Sequence, residues 1–344
     1  MKTIDLEKLV RPNILALKPY SSARDEFSGA EGVFLDANEN PYGTLNRYPD
    51  PHQKDLKAAL AEIKHVPAEQ IFIGNGSDEI IDLIYRVFAE PGRDSVIVCP
   101  PTYGMYEVSA NINNVNVIKI PLTDDFQLNI NEILHKTTTD PSVKLIFVCS
   151  PNNPTGNRLK DVKVLVENFN GIVVLDEAYI DFRADRTYLP KIQKYPNLIV
   201  MQTFSKAWAL ASARVGVAYA NAGIVALMDK VKPPYNVSKL NQEAALKALS
   251  LRHEESTRVS KILNEREFLI EKLEELPLVK KIYPSDANFL LVEVSDADHI
   301  YNHLVNKKII VRNRHSQVEN CIRITVGTSN ENRLLLSELK NLSL

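Results

Sequence analysis

Cysteine is scarce in this chain. Its 344 residues contain three cysteines, Cys99, Cys149 and Cys321, which lie far apart within or beside apolar runs. No C-x-x-C pair occurs, so the spacing favours neither a disulfide framework nor a cysteine-based zinc site. The pattern predicts three buried, reduced thiols in a protein of the cytoplasm.

An excess of charge of either sign is also lacking. Lys and Arg number 41 against 43 Asp and Glu, which gives a net charge of -2. Nucleic acids and anionic membrane surfaces attract basic proteins, and this balance provides no such field. No apolar run approaches the length that crosses a bilayer, and the acidic N-terminal residues do not resemble a signal peptide. We therefore expect chemistry on a small molecule, with no nucleic-acid or membrane partner.

Internal repeats are absent, and the chain is longer than a single hydrophobic core usually allows. Residues 1–45, rich in Pro, Asn and Gly, predict an arm that packs with the small domain and a partner chain. The paired prolines Pro233-Pro234 stop a helix and mark a boundary. We predict a large domain over 46–235 and a smaller one over 236–344, with the ligand cleft between them.

Short apolar runs alternate with helical patterns through the predicted large domain. Such runs indicate an α/β fold with a mostly parallel sheet covered on both faces. The predicted strands are 71–73, 96–99, 115–118, 145–149, 172–175, 197–201 and 216–219. The small α+β domain should contain a long helical stretch over 239–275 and strands at 288–292, 309–311 and 322–326. In open α/β sheets the ligand crevice lies at the carboxyl ends of the strands.

The segment from Thr203 to Arg214 follows one of these predicted strands. It places Lys206 beside the hydroxyls of Thr203 and Ser205 and ahead of Arg214. One amine, two neutral donors and one cation suit a ligand that carries both an aldehyde and a phosphate. On its own this interpretation competes with a solvated surface lysine, the commoner fate of a lysine at a strand end.

The segment Gly74-Asn75-Gly76-Ser77-Asp78 leads from a strand through a glycine turn into a helix. The first amides of a helix bind anions, and Ser77 would add a hydroxyl. Glu79 stands where the dinucleotide fingerprint has its third glycine, and no G-K-[ST] follows as in a P-loop. An anion cup and a plain turn capped by serine both stay open at this point.

Two further strand ends carry polar residues. Asn153 lies in a loop stiffened by prolines, where its amide could donate to a phenolate oxygen. Asp176 follows the strand 172–175, where a buried acid requires a cation such as a protonated pyridine nitrogen. Tyr179 could donate to the phenolic oxygen of the same ring. Together the four strand ends offer a group for each functional corner of pyridoxal phosphate.

These motifs resemble those of the fold-type-I, class-II pyridoxal-phosphate-dependent aminotransferases, and in particular the histidinol-phosphate aminotransferase family. The resemblance spans nearly the whole chain and keeps the family's motif order. It rests on Arg11-Pro12-Asn13-Ile14, Leu35-Asp36-Ala37-Asn38-Glu39-Asn40-Pro41, Asn153-Pro154-Thr155-Gly156, Asp176-x-Ala178-Tyr179, Ser205-Lys206 and Arg214-x-Gly216. It implies the pyridoxal-phosphate-dependent transferase fold of type I and a homodimer with shared active sites. Ala211-Ser212-Ala213 and Trp208 depart from the usual family residues, which affects local packing more than chemistry.

The resemblance also implies roles for individual residues. Lys206 becomes the Schiff-base lysine and the base that moves the proton between substrate and cofactor. Asp176 pairs with the pyridine nitrogen, Asn153 and Tyr179 hold the phenolic oxygen, and Tyr103 stacks on the ring. The implied phosphate ligands are Gly76, Ser77, Thr203, Ser205, Arg214 and, from the other subunit, the partner's Tyr48, and Asp78 is implied as a further cofactor-binding residue.

For the substrate, the resemblance implies Arg312 and Arg323 of the small domain, Tyr20 and Asn38 of the arm, and Asn153. Guanidinium forks suit the phosphate of histidinol phosphate and the carboxylate of glutamate in alternating half-reactions. The implied reaction is a ping-pong transamination of L-histidinol phosphate with 2-oxoglutarate in histidine biosynthesis. A surface ion pair is the competing interpretation for each arginine, and more so for Arg312 because Arg314 stands beside it.

Other functions stay open. A threonine-phosphate decarboxylase shares the cofactor motifs and a phosphorylated substrate, and would release carbon dioxide without an oxo acid. A general aromatic aminotransferase would use the same two arginines for carboxylates. A non-catalytic pyridoxal-phosphate regulator would require a fused DNA-binding domain, for which the chain has neither length nor basic charge. A metal pair at His299 and His303 lacks a third ligand, and neither Ser77 nor Ser205 has a nearby His-acid partner for a hydrolase.

Overall fold

Two β-sheets of different construction organise the chain, which is described by a computed structural model over residues 4–21 and 32–342. The larger sheet has seven strands in the order β1-β7-β6-β5-β4-β2-β3. Its strands are β1 (Ile71–Asn75), β2 (Ser95–Val98), β3 (Asn116–Lys119), β4 (Val143–Cys149), β5 (Ile172–Asp176), β6 (Leu198–Thr203) and β7 (Val215–Tyr219).

The large sheet is mostly parallel, which confirms the α/β prediction. Only β7 runs against its neighbours, pairing antiparallel with both β1 and β6. The pairings among β3, β2, β4, β5 and β6 are all parallel. Because β1 therefore runs in the same direction as β6, the carboxyl ends of six strands meet along one edge of the sheet.

Helices cover both faces of this sheet. Along β5, Val173 and Leu175 pack into one core cluster, while Ile172 and Val174 pack into the other. Burial on both faces explains why the strands are apolar without alternation. The α-helices of this part are Lys54–Lys64, Gly76–Phe88, Met105–Ile112, Ile130–Thr139, Val162–Asn168, Ala222–Val231 and Lys239–Ser250, and the 3₁₀ turns are Ala68–Gln70, Ile180–Arg186, Leu189–Gln193 and Ala211–Ala213.

The smaller sheet is antiparallel, in the order β10-β11-β9-β8. A third core cluster lies between this sheet and the helices that cover it. The strands are β8 (Val279–Ile282), β9 (Phe289–Val294), β10 (Arg312–Asn313) and β11 (Cys321–Thr325), and the helices are Arg252–Glu274, Ala297–Asn306 and Ser329–Lys340. The predicted strand at 309–311 is wrong, because the extended pairing begins only at Arg312.

The predicted helical stretch over 239–275 is two helices, which separate at Leu251 (φ -108°, ψ 30°). The packing partner of the chain does not change at this break but further on, within the second helix. Leu249 and Val259 join the core of the large sheet, whereas Leu269 and Leu273 join the core of the small sheet. The change of core takes place within the second helix, and the domain boundary at 235/236 stays a prediction.

Residues 6–16 of the arm pack against the large sheet. Two short helices, Leu6–Leu9 and Pro12–Ala16, form here, and Val10 after the first and Ile14 in the second join the core of that sheet. The packing of the arm with the small domain and a partner chain stays a prediction. The backbone N–H of Arg11 donates to the carbonyl of Val87 at 3.0 Å. Among the described residues, no helix combines the length and apolar character required to cross a bilayer.

Candidate active site

Asp176 forms the floor of the candidate site, at the carboxyl end of β5 in the middle of the large sheet. Only 3% of its surface is exposed. Its carboxylate accepts hydrogen bonds from Tyr106 Oη at 2.7 Å and from the backbone N–H of Ala178 at 3.0 Å. Burial raises the pKa of Asp176 to about 6, although these two donors oppose the rise. A cation that entered the site would stabilise the ionised carboxylate.

Lys206 lies in a tight loop that follows β6. Thr203 Oγ1 accepts from the backbone N–H of Ser205 at 3.1 Å and lies 3.0 Å from Ser205 Oγ. The backbone N–H of Leu210 donates to the carbonyl of Phe204 at 3.0 Å and closes the loop. The lysine is thus presented by a backbone that local hydrogen bonds hold in place.

The surroundings of Lys206 favour its neutral amine. Its Nζ lies 5.5 Å from the centroid of the Tyr179 ring. Partial burial lowers the pKa of Lys206 and Arg323 lowers it further, while Asp176 opposes both effects. A lysine with a lowered pKa is a better nucleophile and base at neutral pH.

The start of the helix Gly76–Phe88 forms an anion cup with Arg214. Gly76 has φ +78°, and a Cβ atom there would lie 2.6 Å from Arg214 Nη2. A Cβ atom on Gly216 of β7 would lie 2.5 Å from the backbone nitrogen of Ser77. The buried Ser77 Oγ has no hydrogen-bond partner among the described residues. A hydroxyl without a partner, helix amides and a guanidinium meet here, which favours the anion cup over the plain turn.

Asp78 connects this cup to Tyr103. Its carboxylate accepts from Arg214 Nη2 and from Tyr103 Oη, both at 3.1 Å. Burial raises the pKa of Tyr103 and the charge of Asp78 raises it further, so the phenol stays protonated. The ring of Tyr103 packs edge-on against Tyr106, with the centroids 5.6 Å apart. Asp78 therefore fixes an aromatic ring beside the anion cup.

Asn153 forms hydrogen bonds with residues from both parts of the protein. Its Nδ2 donates to Tyr179 Oη at 3.4 Å, and its Oδ1 accepts from Arg323 Nη1 at 2.5 Å. The ring of Tyr179 packs edge-on against Phe289 of β9, with the centroids 5.1 Å apart. Burial raises the pKa of Tyr179, so its hydroxyl remains a hydrogen-bond donor. The amide and the phenol point to the same part of the cavity.

The small sheet contributes three arginines. Arg312 of β10 stands directly opposite Arg323 of β11, and Arg314 follows two residues later. Within the described ranges, no Asp or Glu carboxylate lies at ion-pair distance from any of the three. The Nε atoms of Arg314 and Arg323 are buried and have no hydrogen-bond partner in the same ranges. The surface ion pair considered for Arg312 and Arg323 therefore finds no support among these residues.

One cavity of about 640 Å³ collects these groups at the junction of the two sheets. Gly76 lies immediately behind its wall, in contact with Arg214. The sequence-predicted residues that line the cavity are Ser77, Asp78, Tyr103, Asn153, Asp176, Tyr179, Thr203, Ser205, Lys206, Arg214, Arg312 and Arg323.

Tyr20, Asn38 and Tyr48 are not among the described residues that line this cavity. Tyr20 is 72% exposed on the arm. Asn38 and Tyr48 instead border a separate surface cavity, where Tyr48 stacks on Tyr235 with the ring centroids 4.4 Å apart. Within one chain, the expected roles of Tyr20 and Asn38 at the site find no geometric support.

Sequence reasoning missed several residues of the site. Tyr106 donates to Asp176, and Arg314 and Gln317 line the cavity beside Arg323. Tyr106 occupies the buried face of the helix Met105–Ile112, so its apolar neighbours made it look like a core residue. For Arg314, the signal was its spacing of two from Arg312, which would put both side chains on one face of an extended segment.

The arrangement separates two kinds of chemistry. At the large sheet, an amine of lowered pKa stands between a buried acid and an anion cup, which suits a bound phosphorylated aldehyde. At the small sheet, three guanidinium groups face the same space, which suits a second, exchangeable anion. The amine of Lys206 can then move a proton between the ligand bound at the large sheet and the ligand bound at the small sheet.

Comparison with known proteins agrees with this geometry. The model of the family described as aminotransferase class I and II matches residues 31–339. A curated relative from Cytophaga hutchinsonii, named histidinol-phosphate aminotransferase, is 52% identical over 97% of this chain and 98% of its own length.

Two solved structures have the same fold. The histidinol-phosphate aminotransferase from Sinorhizobium meliloti, in complex with pyridoxal-5'-phosphate, superposes with a TM-score of 0.79 at 25% identity and covers 89% of each chain. The L-threonine-O-3-phosphate decarboxylase from Porphyromonas gingivalis superposes with a TM-score of 0.72 at 22% identity, covering 86% of this chain and 90% of its own. The match to the family model over most of the chain is decisive: this chain belongs to the class I and II aminotransferase family.

Proposed function

We propose that the chain is a pyridoxal-phosphate-dependent aminotransferase. One observation carries the proposal: a buried acid, a lysine of lowered pKa and an anion cup face a single cavity. Pyridoxal phosphate fits this set, because its phosphate would give the buried Ser77 Oγ a partner and its pyridinium would pair with Asp176. When bound, the cofactor supplies an aldehyde for the amino group and a ring that withdraws electrons from the substrate.

The residues of the chain then have distinct tasks. Asp176, which accepts from Tyr106, holds the proton on the ring nitrogen. Asn153 and Tyr179 hold the phenolic oxygen. Lys206 Nζ would anchor the cofactor in the resting enzyme. It would then act as the base that moves the proton between the substrate Cα and the cofactor.

The proposed substrates are L-histidinol phosphate as amino donor and 2-oxoglutarate as acceptor, used in a ping-pong cycle of histidine biosynthesis. The 52% identity to a full-length relative of that name supports the choice. The cavity supports it too, because Arg312 and Arg323 have no carboxylate partner among the described residues. Guanidinium forks bind a phosphate and a carboxylate in turn.

We further propose a homodimer in which Tyr48 serves the active site of the other subunit. The segment around Tyr48 exposes large apolar side chains, among them Val33 at 88%, Leu35 at 87% and Tyr42 at 84%. Such a patch is typical of a surface that a second protein covers. We extend the same proposal to Tyr20 and Asn38, which lie outside the cavity of their own chain.

A complementation experiment tests this sharing of residues. Purified Lys206→Ala and Tyr48→Ala homodimers are mixed, dissociated and reassociated. If Tyr48 acts in trans, hybrid dimers contain one intact site, and activity should return to about a quarter of the wild-type value with random pairing. If Tyr48 acts in its own chain, no hybrid site is intact, and activity should not rise above that of the Tyr48→Ala homodimer.

The proposed compartment is the cytoplasm. All three cysteines are buried as free thiols, which is the usual state of cysteine under reducing conditions.

A steady-state assay tests the substrate assignment. The purified holoenzyme is supplied with 2-oxoglutarate and one amino donor, and glutamate and carbon dioxide are both measured. Glutamate formation with L-histidinol phosphate, at a kcat/KM at least about 100-fold above that with phenylalanine, is expected from the added phosphate contacts. Carbon dioxide release from threonine phosphate without an oxo acid would move the function to the decarboxylase. Equal use of phenylalanine would move it to a general aromatic aminotransferase.

A further inference from the structure

The small-sheet wall of the cavity contains more positive charge than one carboxylate requires. Arg312 and Arg323 face each other across β10 and β11, and Arg314, which follows β10, lines the same cavity. Like charges that stand directly opposite on a sheet destabilise it. Burial, with the charges of Arg323 and Arg312, lowers the pKa of Arg314 to about 10. An anion among the guanidinium groups would offset this repulsion.

The backbone holds Arg314 firmly in this position. Its N–H donates to the carbonyl of Cys321 at 2.9 Å, and its own carbonyl accepts from the N–H groups of Gln317 and Val318, both at 2.8 Å. Its Nε is buried without a hydrogen-bond partner among the described residues. The backbone of Arg314 is thus held on both sides, while its side chain lines the cavity with donors that are free for a ligand.

The acids of the cavity are already engaged elsewhere. Asp78 accepts from Arg214 and Tyr103, and Asp176 accepts from Tyr106 and a backbone amide. Both stand at the large-sheet side. Among the described residues, the anion that neutralises the three arginines must therefore come from solution.

We infer that Arg314 is the specificity-determining residue that recognises the second negative charge of a phosphorylated substrate. The inference rests on the proposed function and deepens it. A single carboxylate has one charge and two oxygens, which the facing pair Arg312 and Arg323 can satisfy. A phosphate dianion has a second charge and a third free oxygen, for which Arg314 is the available fork. Arg314 therefore separates phosphorylated donors from glutamate, while the other two arginines bind both.

The test compares two half-reactions in the holoenzyme. With Arg314→Gln, the KM for L-histidinol phosphate should rise about 30-fold, because one charge-assisted contact to the dianion is lost. The KM for glutamate in the reverse half-reaction should change less than about threefold, since its carboxylate is held by the other pair. Arg333→Gln, at an exposed arginine of the helix Ser329–Lys340, is the matched control and should leave both values unchanged.

Equilibrium binding provides a readout that does not depend on turnover. In a Lys206→Ala background, calorimetry should give a histidinol-phosphate dissociation constant that rises about 30-fold when Arg314→Gln is added. Arg314→Lys keeps one charge without the fork, so it should lose less affinity than Arg314→Gln, and it replaces that variant if the glutamine protein does not fold.

The outcomes separate this inference from the proposed function. A wild-type enzyme that does not accept L-histidinol phosphate overturns both. A wild-type enzyme that accepts it, combined with an Arg314 variant in which both KM values are unchanged or rise equally, overturns only the role of Arg314. A selective rise for the phosphorylated substrate supports it.

Discussion

The two walls of the cavity differ in how their charges are satisfied. On the large-sheet wall, Asp176 and Asp78 each accept two hydrogen bonds from the chain. On the small-sheet wall, the three arginines have no carboxylate partner among the described residues. The first wall is prepared for one resident ligand, whereas the second requires an anion that can leave and be replaced. This difference corresponds to a permanent cofactor on one side and alternating substrates on the other.

The largest effect should follow from Lys206→Ala on the large-sheet wall. Removal of the amine eliminates both the covalent anchor and the proton-transfer base, so turnover should fall by about 10⁴-fold or more. The measurement is glutamate formation under saturating substrates, with circular dichroism to check the fold. Lys261→Ala, at an exposed lysine of the helix Arg252–Glu274, is the control and should keep full activity. Full transamination by Lys206→Ala would contradict the proposed mechanism.

A smaller but still severe loss is expected from Asp176→Asn. The amide cannot hold a proton on the pyridine nitrogen, so kcat should fall about 10³-fold. The control is Glu177→Gln, since this neighbouring buried acid accepts from Thr187, Gln202 and the Tyr188 N–H, outside the cavity. Glu177→Gln should lower the free energy of unfolding by about 1–3 kcal/mol and spare kcat. Similar kcat losses in both variants would mean that Asp176 acts only through stability.

On the small-sheet wall, Arg323→Gln should act on substrate binding. Its guanidinium faces the cavity and donates to Asn153, so its loss should raise the KM for the phosphorylated substrate by about 100-fold. Cofactor affinity, followed by the visible absorption of the bound cofactor, should change far less. An unchanged KM would mean that Arg323 does not bind the substrate. The assignment of substrate binding to the small-sheet wall would then be contradicted.

The smallest expected effect concerns Tyr106→Phe and the pH dependence of cofactor binding. The pKa of Asp176 is raised to about 6 by burial, so the carboxyl takes up a proton and loses its charge as the pH falls through 6. Cofactor affinity of the apoenzyme should therefore weaken below about pH 6. Loss of the Tyr106 hydroxyl removes a donor that lowers this pKa, so the midpoint should move up by about one unit. If the midpoint in absorbance titrations did not move, Tyr106 would not influence the pKa of Asp176.

The large-sheet wall could be predicted from sequence because each of its residues follows a distinct apolar strand. Asp176 ends β5 and Lys206 follows β6, and parallel strands bring such positions to one edge. The prediction of a mostly parallel sheet is confirmed for the same reason, since strands buried on both faces have an unmistakable composition. Tyr106 escaped prediction because a buried tyrosine in a helix has the same pattern whether it fills space or donates a hydrogen bond.

The small-sheet wall was harder to predict because its elements are short and their pairing is not local. The two-residue strand β10 lies just beyond the apolar run 309–311. Because apolar runs predict strands, the strand was predicted at these residues instead. The break at Leu251 carries no Gly or Pro signal, so the helical pattern of the sequence continues through it. Tyr20, Asn38 and Tyr48 stay predictions, because their proposed roles depend on a second chain.

A single-turnover absorbance experiment tests the central claim most directly. The holoenzyme is mixed with L-histidinol phosphate and no oxo acid, and the absorption of the bound cofactor and the release of carbon dioxide are followed together. The account predicts conversion of the cofactor to its amine form without gas, and reversal when 2-oxoglutarate is added. An unchanged spectrum with L-histidinol phosphate, or carbon dioxide release from threonine phosphate, would contradict it.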